Sequence, residues 1–193
     1  QQVMDAMSPD AQGLLAVVAT EEATGSEALT AALEGARLVA VLTQAQDPGN
    51  AGTIIRAADA AGADAVVLVR GSVDPTAPKV VRSTAGSLFH LPVVTGVALD
   101  DAVTALHNAG LTVLAADGRG DFELFEAESL LEAPSAWLLG NEAHGLPSEA
   151  LSRADAVVSI PIYGKAESLN VAAAAAVCLY ASARAQAQHS GRS

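Results

Sequence analysis

The chain has 193 residues, half of them apolar, with aromatics at only 3% and a formal net charge of −12. That length suits one α/β domain with a sizeable core, and the charge argues against indiscriminate nucleic-acid binding by the chain as a whole. No apolar run reaches the roughly 20 residues that a membrane-crossing helix needs, nothing reads as a signal peptide, and the lone cysteine, Cys178, excludes an internal disulfide. A cytoplasmic protein with no membrane partner is the simplest expectation.

The first stretch, QQVMDAMSPDAQ (1–12), has no periodic pattern and reads as a linker from a preceding module. GLLAVVA (13–19) and ARLVAVLT (36–43) follow as expected strands, then NAGTIIRAADAAG (50–62) as a helix and ADAVVLV (63–69) as a strand. A helix is expected to start at Pro78, followed by the strand LPVVT (91–95) and the helix LDDAVTALHNAG (99–110). LTVLAAD (111–117) and SAWLLG (135–140) read as strands, with a helix from Pro147, the strand AVVSIPI (156–162) and the long helix SLNVAAAAAVCLYASARAQAQ (168–188). Residues 189–193 lack pattern and read as a disordered tail, which leaves 13–188 as the domain. Strands apolar on both faces, alternating with helices, imply an α/β fold: a mostly parallel sheet with helices on both faces.

Charge is distributed unevenly. Residues 1–49 carry a net −6 and residues 91–193 a net −7, whereas 50–90, with Arg56, Arg70, Lys79 and Arg82, carry +1. A polyanion is therefore expected to meet the 50–90 region. Lys79 and Arg82 are candidate phosphate contacts, with an ordinary solvated-surface role as the equal alternative.

Three polar islands sit where strands end, the place at which open α/β sheets bind ligands. In the first, DPGNAGTIIRAADAAGAD (47–64), Pro48 and Gly49 are read as a turn, Asn50 as a helix cap and Gly52 as a point of close backbone approach. Arg56 lies on the same helix among Ala and Ile. The second, GNEAHGLP (140–147), follows an apolar run and sets an amide, a carboxylate and an imidazole between two glycines. Glu142 alone is explained equally well as a cap for the helix from Pro147. In the third, IPIYGKAESLNVAAAAA (160–176), Ser168 is expected to cap the Ala-rich helix. No G-x-G-x-x-G, P-loop or zinc-type Cys/His spacing is present, and His90, His107, His144 and His189 are scattered, so no metal is expected.

The three islands, in this order, resemble the motifs of the SpoU (TrmH-like) branch of the SPOUT methyltransferases. Asn50, Gly52, Arg56 and Gly62 match the first motif; Gly140, Asn141, Glu142 and Gly145 the second; Pro161, Ser168, Leu169 and Asn170 the third. The similarity runs from about Gly13 to Tyr180 and includes STAGSLFHLPV (83–93). One departure is Ala143, where many members have glycine.

The resemblance implies methyl transfer from S-adenosyl-L-methionine to a ribose 2′-hydroxyl of RNA, with ribosomal RNA favoured over transfer RNA, in a homodimer whose C-terminal segment forms a trefoil knot. It implies that the cofactor is held by the loops at Ala116 and Gly118, Gly140 and Asn141, and Ile160, Ile162 and Leu169. Asn50, Arg56, Glu142, Ser168 and Asn170 are the implied catalytic set. Arginine is a poor base, so Arg56 is read as an electrostatic clamp, while Glu142 either orients it or accepts the proton. The module expected before residue 1 takes on an RNA-binding part by the same resemblance. The alternative is a non-catalytic RNA- or cofactor-binding homologue acting as a subunit or scaffold, against which the presence of Arg56, Glu142, Ser168 and Asn170 counts.

Overall fold

The computed structural model describes residues 23–141 and 145–190. The linker expected over 1–12, the strand expected over 13–19, and Glu142, Ala143 and His144 lie outside the described residues. Helix α1 (Gly25–Ala32) precedes β1 (Leu38–Leu42), α2 (Pro48–Ala60), β2 (Ala65–Val69) and α3 (Pro78–Thr84). A 3-10 turn (Ser87–Phe89), β3 (Val93–Val97), α4 (Leu99–Asn108), β4 (Thr112–Ala116) and a two-residue β5 (Phe122–Glu123) come next. The chain continues with α5 (Glu128–Leu131), β6 (Ser135–Leu139), α6 (Ser148–Arg153), β7 (Ala156–Ser159) and α7 (Val171–Ser190).

The seven strands form one sheet in the order β3-β2-β1-β6-β4-β7-β5, and every strand pair in it is parallel. The α/β class expected from two-sided apolar strands is what forms. All five residues of β1, β2 and β6 are buried, and alternate side chains go to opposite layers. Leu38, Ala40, Leu42, Trp137 and Leu139 face one layer, which α2, α3 and α7 close with Ile54, Ile55, Val80, Ala175, Cys178 and Leu179. Val39, Val41, Ala136 and Leu138 face the other, closed by Leu29 of α1, Val103 and Leu106 of α4 and Ala150 of α6.

The sheet order reverses at its centre. The chain lays β1, β2 and β3 outward in one direction, then starts again on the far side with β4 and slots β6 between β4 and β1. The C-terminal ends of β1 and β6 are fastened together: the Thr43 amide and hydroxyl both donate to the Leu139 carbonyl, at 2.9 Å each. Deeper in the same layer the Trp137 indole N–H donates to Ser182 Oγ at 2.9 Å, and Gln186 donates to the carbonyls of Arg37 and Ala133. These bonds lock α7 against the middle of the sheet while satisfying buried polar groups.

Four local expectations are corrected. Asp47, not Asn50, caps α2: its carboxylate accepts from the Asn50 amide at 2.8 Å, and Pro48 is the first helical residue rather than part of a turn. Asn170, not Ser168, caps α7: its Oδ1 accepts from the amides of Ala172 and Ala173 at 2.9 and 3.3 Å. Strand β7 stops at Ser159, so Ile160 and Ile162 belong to an irregular segment. His189 and Ser190, expected in the tail, continue α7, and His189 pairs with Glu132 at 3.6 Å.

Gly52 sits where α2 crosses α3. A Cβ at that position would lie 2.5 Å from the Ser83 Cβ and 2.7 Å from the Val80 carbonyl oxygen, so only glycine lets the two helices approach. Alanine is worth about 1 kcal/mol more than glycine inside a helix, yet overpacking of this kind typically costs about 1–3 kcal/mol. Gly52→Ala should therefore destabilise the domain, by roughly 1 kcal/mol in urea unfolding. An unchanged or raised midpoint would show that α3 yields freely.

Candidate functional site

The polar islands meet at the C-terminal edge of the sheet, beside the reversal of strand order. A cavity of about 540 Å³ opens there, within the size range of small-molecule sites. Its walls come from the ends of three neighbouring strands and the start of the last helix. Ala116, Asp117 and Gly118 follow β4; Gly140, Asn141 and Gly145 follow β6; Val158, Ile160 and Ile162 close β7. The run from Glu167 to Val171, with Ala174, supplies the remaining wall.

The loop after β6 is shaped by its own main chain. The Asn141 amide donates to the Gly145 carbonyl at 3.0 Å and the Gly145 amide donates back to the Asn141 carbonyl at 2.8 Å. A Cβ on Gly140 would collide with the backbone of Gly145 and Leu146. Glycine at 140 is thus required by the returning loop, and it also lines the cavity. Gly145 has φ +68°, a conformation that glycine takes without strain.

Two hydrogen bonds tie the three islands into one unit. Asn141 Nδ2 donates to the Gln44 carbonyl at 2.9 Å, joining the second island to the loop that leads into the first. Asn170 Nδ2 donates to Asn50 Oδ1 at 3.1 Å, joining the third to the first. Asn170 therefore serves two helices at once, capping α7 with its oxygen and holding the first turn of α2 with its nitrogen. Ser168 lines the cavity two residues before it.

Arg56 is exposed on α2, about 9 Å along the axis from Asn50 at 1.5 Å per residue, and does not line the cavity. It lies one turn beyond Gly52, on the side that α3 approaches. Lys79 and Arg82 are exposed on α3 itself, so helix packing brings three of the four basic residues of the 50–90 region onto one pair of adjacent helices, while Arg70 follows β2 and donates to the Gly96 carbonyl at 2.9 Å. Of the residues read from the sequence as cofactor contacts, Ala116, Gly118, Gly140, Asn141, Ile160, Ile162 and Leu169 all line the cavity. The position of Glu142 lies outside the described residues.

Two carboxylates in the lining escaped the sequence reading. Asp117 is held by a fork: its Oδ1 accepts from the Arg119 amide and Nε, both at 2.9 Å, and its Oδ2 accepts from Nη2 at 3.1 Å. The aspartate side chain is 10% exposed and the arginine 77%. The Arg119 hydrogen bonds hold the Asp117 carboxyl below the usual carboxylate range, so it is ionised at neutral pH. The signal available was the Asp-Gly pair directly after a strand. Glu167, exposed on the rim, was hidden beside the more conspicuous Ser168-Leu169-Asn170. Cys178 takes no part, because burial in α7 pushes its thiol up to about 12. Among the described residues no group of three or more His, Cys, Asp or Glu side chains is arranged to hold a metal ion, and no helix is long and apolar enough to cross a membrane.

Known proteins resemble this chain in both sequence and fold. The model of the SpoU rRNA methylase family matches residues 37–180. The chain is 43% identical over 151 residues to the 23S rRNA (guanosine(2553)-2′-O)-methyltransferase RlmP of Bacillus subtilis, covering 77% of this chain and 58% of that protein. It is 40% identical over 142 residues to the 23S rRNA (uridine(2479)-2′-O)-methyltransferase of Streptomyces viridochromogenes, covering 71% and 49%. Among solved structures, the SpoU methyltransferase AviRb from S. viridochromogenes in complex with AdoMet superposes with a TM-score of 0.71 at 37% identity, covering 78% of this chain and 60% of that one. The chain thus spans about half of the curated relatives' length. Those matched residues, 37–180, include all three islands and every strand of the sheet, and on that ground the chain belongs to the SpoU rRNA methylase family.

Proposed function

We propose that this chain is the methyltransferase domain of an S-adenosylmethionine-dependent enzyme that methylates a ribose 2′-hydroxyl of RNA, with ribosomal RNA as the favoured substrate. The observation that carries this reading is the cavity at the C-terminal ends of β4, β6 and β7, assembled from the second and third islands and bonded through Asn170 to the first. The 23S rRNA activities of the relatives support ribosomal over transfer RNA.

The lining fits the cofactor. Val158, Ile160, Ile162 and Leu169 offer apolar surface for an adenine ring, and the loop backbones at Gly118 and Gly140–Asn141 offer polar groups for a ribose. Asp117 and Glu167 are the ionisable side chains of the described lining, and both are anionic, which suits a ligand bearing a cationic sulfur. When bound, S-adenosylmethionine supplies the methyl group. The protein's part is to align the acceptor oxygen and stabilise its developing negative charge. Arg56 is assigned that electrostatic role, as a permanently charged planar donor that is a poor base. Asn50 and Asn170 fix the helix that carries it, and Ser168, which lines the cavity, is assigned a hydrogen bond to the acceptor ribose. Lys79 and Arg82, on the helix packed against α2, are assigned to RNA phosphates.

Two finer features belong to this proposal. The first is a C-terminal trefoil knot, supported by the return of α7 from near the sheet edge to the layer over β1 and β6, with the 160–170 segment sharing one cavity with the Asn141–Gly145 loop. The second is a homodimer. Phe89 and Tyr180 are 68% and 54% exposed, and both stand by the C-terminal end of α2: His90 pairs with Asp59 at 2.8 Å, and the Tyr180 hydroxyl donates to the Ala60 carbonyl at 3.1 Å. Exposed aromatics gathered on one face, beside the small side chains of α7, make a surface suited to a second copy.

Titration calorimetry should give about one S-adenosylmethionine site per chain, and a well-folded protein without saturable heat would refute the reading. Arg56→Ala should lower methyl transfer on the order of 10²–10³-fold while cofactor affinity stays within about twofold, and Arg56→Lys should not restore the rate. An equal fall in cofactor affinity would assign Arg56 to the pocket instead. Asn170→Ala removes a helix cap and the bond to Asn50, so it should cost about 1 kcal/mol of stability and weaken cofactor binding together. Light scattering at micromolar concentration should give about twice the 19.3 kDa chain mass, and a Phe89→Asp exchange should reduce it towards one. A wild-type monomer would remove the dimer.

A further inference from the structure

We propose that Glu167 makes the pocket discriminate by charge between S-adenosylmethionine and its demethylated product, and that the Asp117–Arg119 pair sets the strength of that discrimination. The inference rests on the cofactor assignment above and concerns what the lining does with it.

The two ligands differ by one methyl group and one unit of charge. The sulfonium carries a positive charge that the thioether of S-adenosylhomocysteine lacks, while the amino and carboxylate groups of the two are the same. A neutral pocket of the same shape would separate them only through the methyl contact. The described lining contains two ionisable side chains, Asp117 and Glu167, and no Lys, Arg or His. Their electrostatic situations differ. Asp117 is offset by the Arg119 guanidinium, which grips both carboxylate oxygens, so the pair presents little net charge. Glu167 makes no hydrogen bond or ion pair with any described residue, and Lys165, two positions before it, is outside the lining. The described lining and its Arg119 fork therefore present close to one uncompensated negative charge, placed on the rim segment between Ile162 and Leu169.

A negative charge there attracts the cationic ligand and is indifferent to the neutral thioether. Because Glu167 is exposed, water and salt screen it, and the preference it creates is limited to about three- to tenfold. That is sufficient to matter after each turnover, when product must leave and substrate must replace it. Arg119 sits on the other side of the balance. Without it, the ionised Asp117 would add a second uncompensated charge to the wall.

The test is calorimetric titration of the full chain with S-adenosylmethionine, S-adenosylhomocysteine and sinefungin, an analogue whose amine places a cation where the sulfonium would be. Glu167→Gln keeps the size of the side chain and removes its charge. It should lower the affinity ratio of S-adenosylmethionine to S-adenosylhomocysteine about three- to tenfold, chiefly through the former, with sinefungin following the cationic ligand. Arg119→Ala should move the ratio the opposite way, and about 0.5 M salt should shrink both effects. Equal losses for all three ligands in Glu167→Gln, or an unmoved ratio, would overturn the inference while leaving the methyltransferase reading intact. Failure of the wild-type chain to bind any of the three would overturn both.

Discussion

Everything at the functional edge depends on the pairing of β1 with β6. These strands lie far apart in sequence but run in register from Leu38 opposite Ser135 to Leu42 opposite Leu139. Parallel pairing places their C-terminal ends side by side, and the two Thr43 bonds to the Leu139 carbonyl fix them there. The loops that leave these ends, one through Gln44 and the other through Gly140, therefore have no choice but to meet. The Asn141 bond to the Gln44 carbonyl follows from that meeting. Strand order converts three separated stretches of chain into one wall.

The wall is built from backbone more than from large side chains. Gly140 is required because the chain returns against it, and Gly52 because α3 crosses above it. Small residues at these two points draw loops and helices close enough for single hydrogen bonds to join them. Asn170 illustrates the economy of this arrangement, since one amide group caps a helix and holds another helix 120 positions away in sequence. Such a site is specified by where the backbone is allowed to go, with few side chains left for chemistry.

The sequence was most legible where burial decides structure. Apolar runs such as those at 36–43 and 63–69 could be read as doubly covered strands because their central five residues, Leu38–Leu42 and Ala65–Val69, are all apolar, and the parallel sheet followed. Helix starts were less legible, since several polar residues compete for each cap. At the first island Asp47 and Asn50 are both good caps, and the deciding signal was Pro48, which fits the first helical position. At the third, Ser168 and Asn170 compete, and only the fold shows that Asn170 faces the amides. The cavity lining was legible wherever a motif was present. Asp117 was not, because its importance comes from Arg119 folding back on it, a contact that composition does not announce. Helix α1 and the edge strand β5 were not read as elements: α1 is short, and β5 is two residues whose pairing with β7 is entirely tertiary.

The late insertion of β6 has a consequence for how the chain acquires its shape. Strands β1, β2 and β3 are joined by local crossovers and can associate early, but that leaves the far side of β1 as an open edge of unpaired amides. The Thr43 hydroxyl bond that helps to close it spans 96 positions of sequence. During synthesis the growing chain must hold this edge unpaired until residue 139 has emerged, a period in which strand edges invite pairing with other chains. Trp137 arrives with the strand that ends the exposure, and its indole becomes buried against Ser182 once α7 has docked. The single tryptophan is thus an intrinsic optical marker of the non-local step in which β6 and α7 close the middle of the sheet.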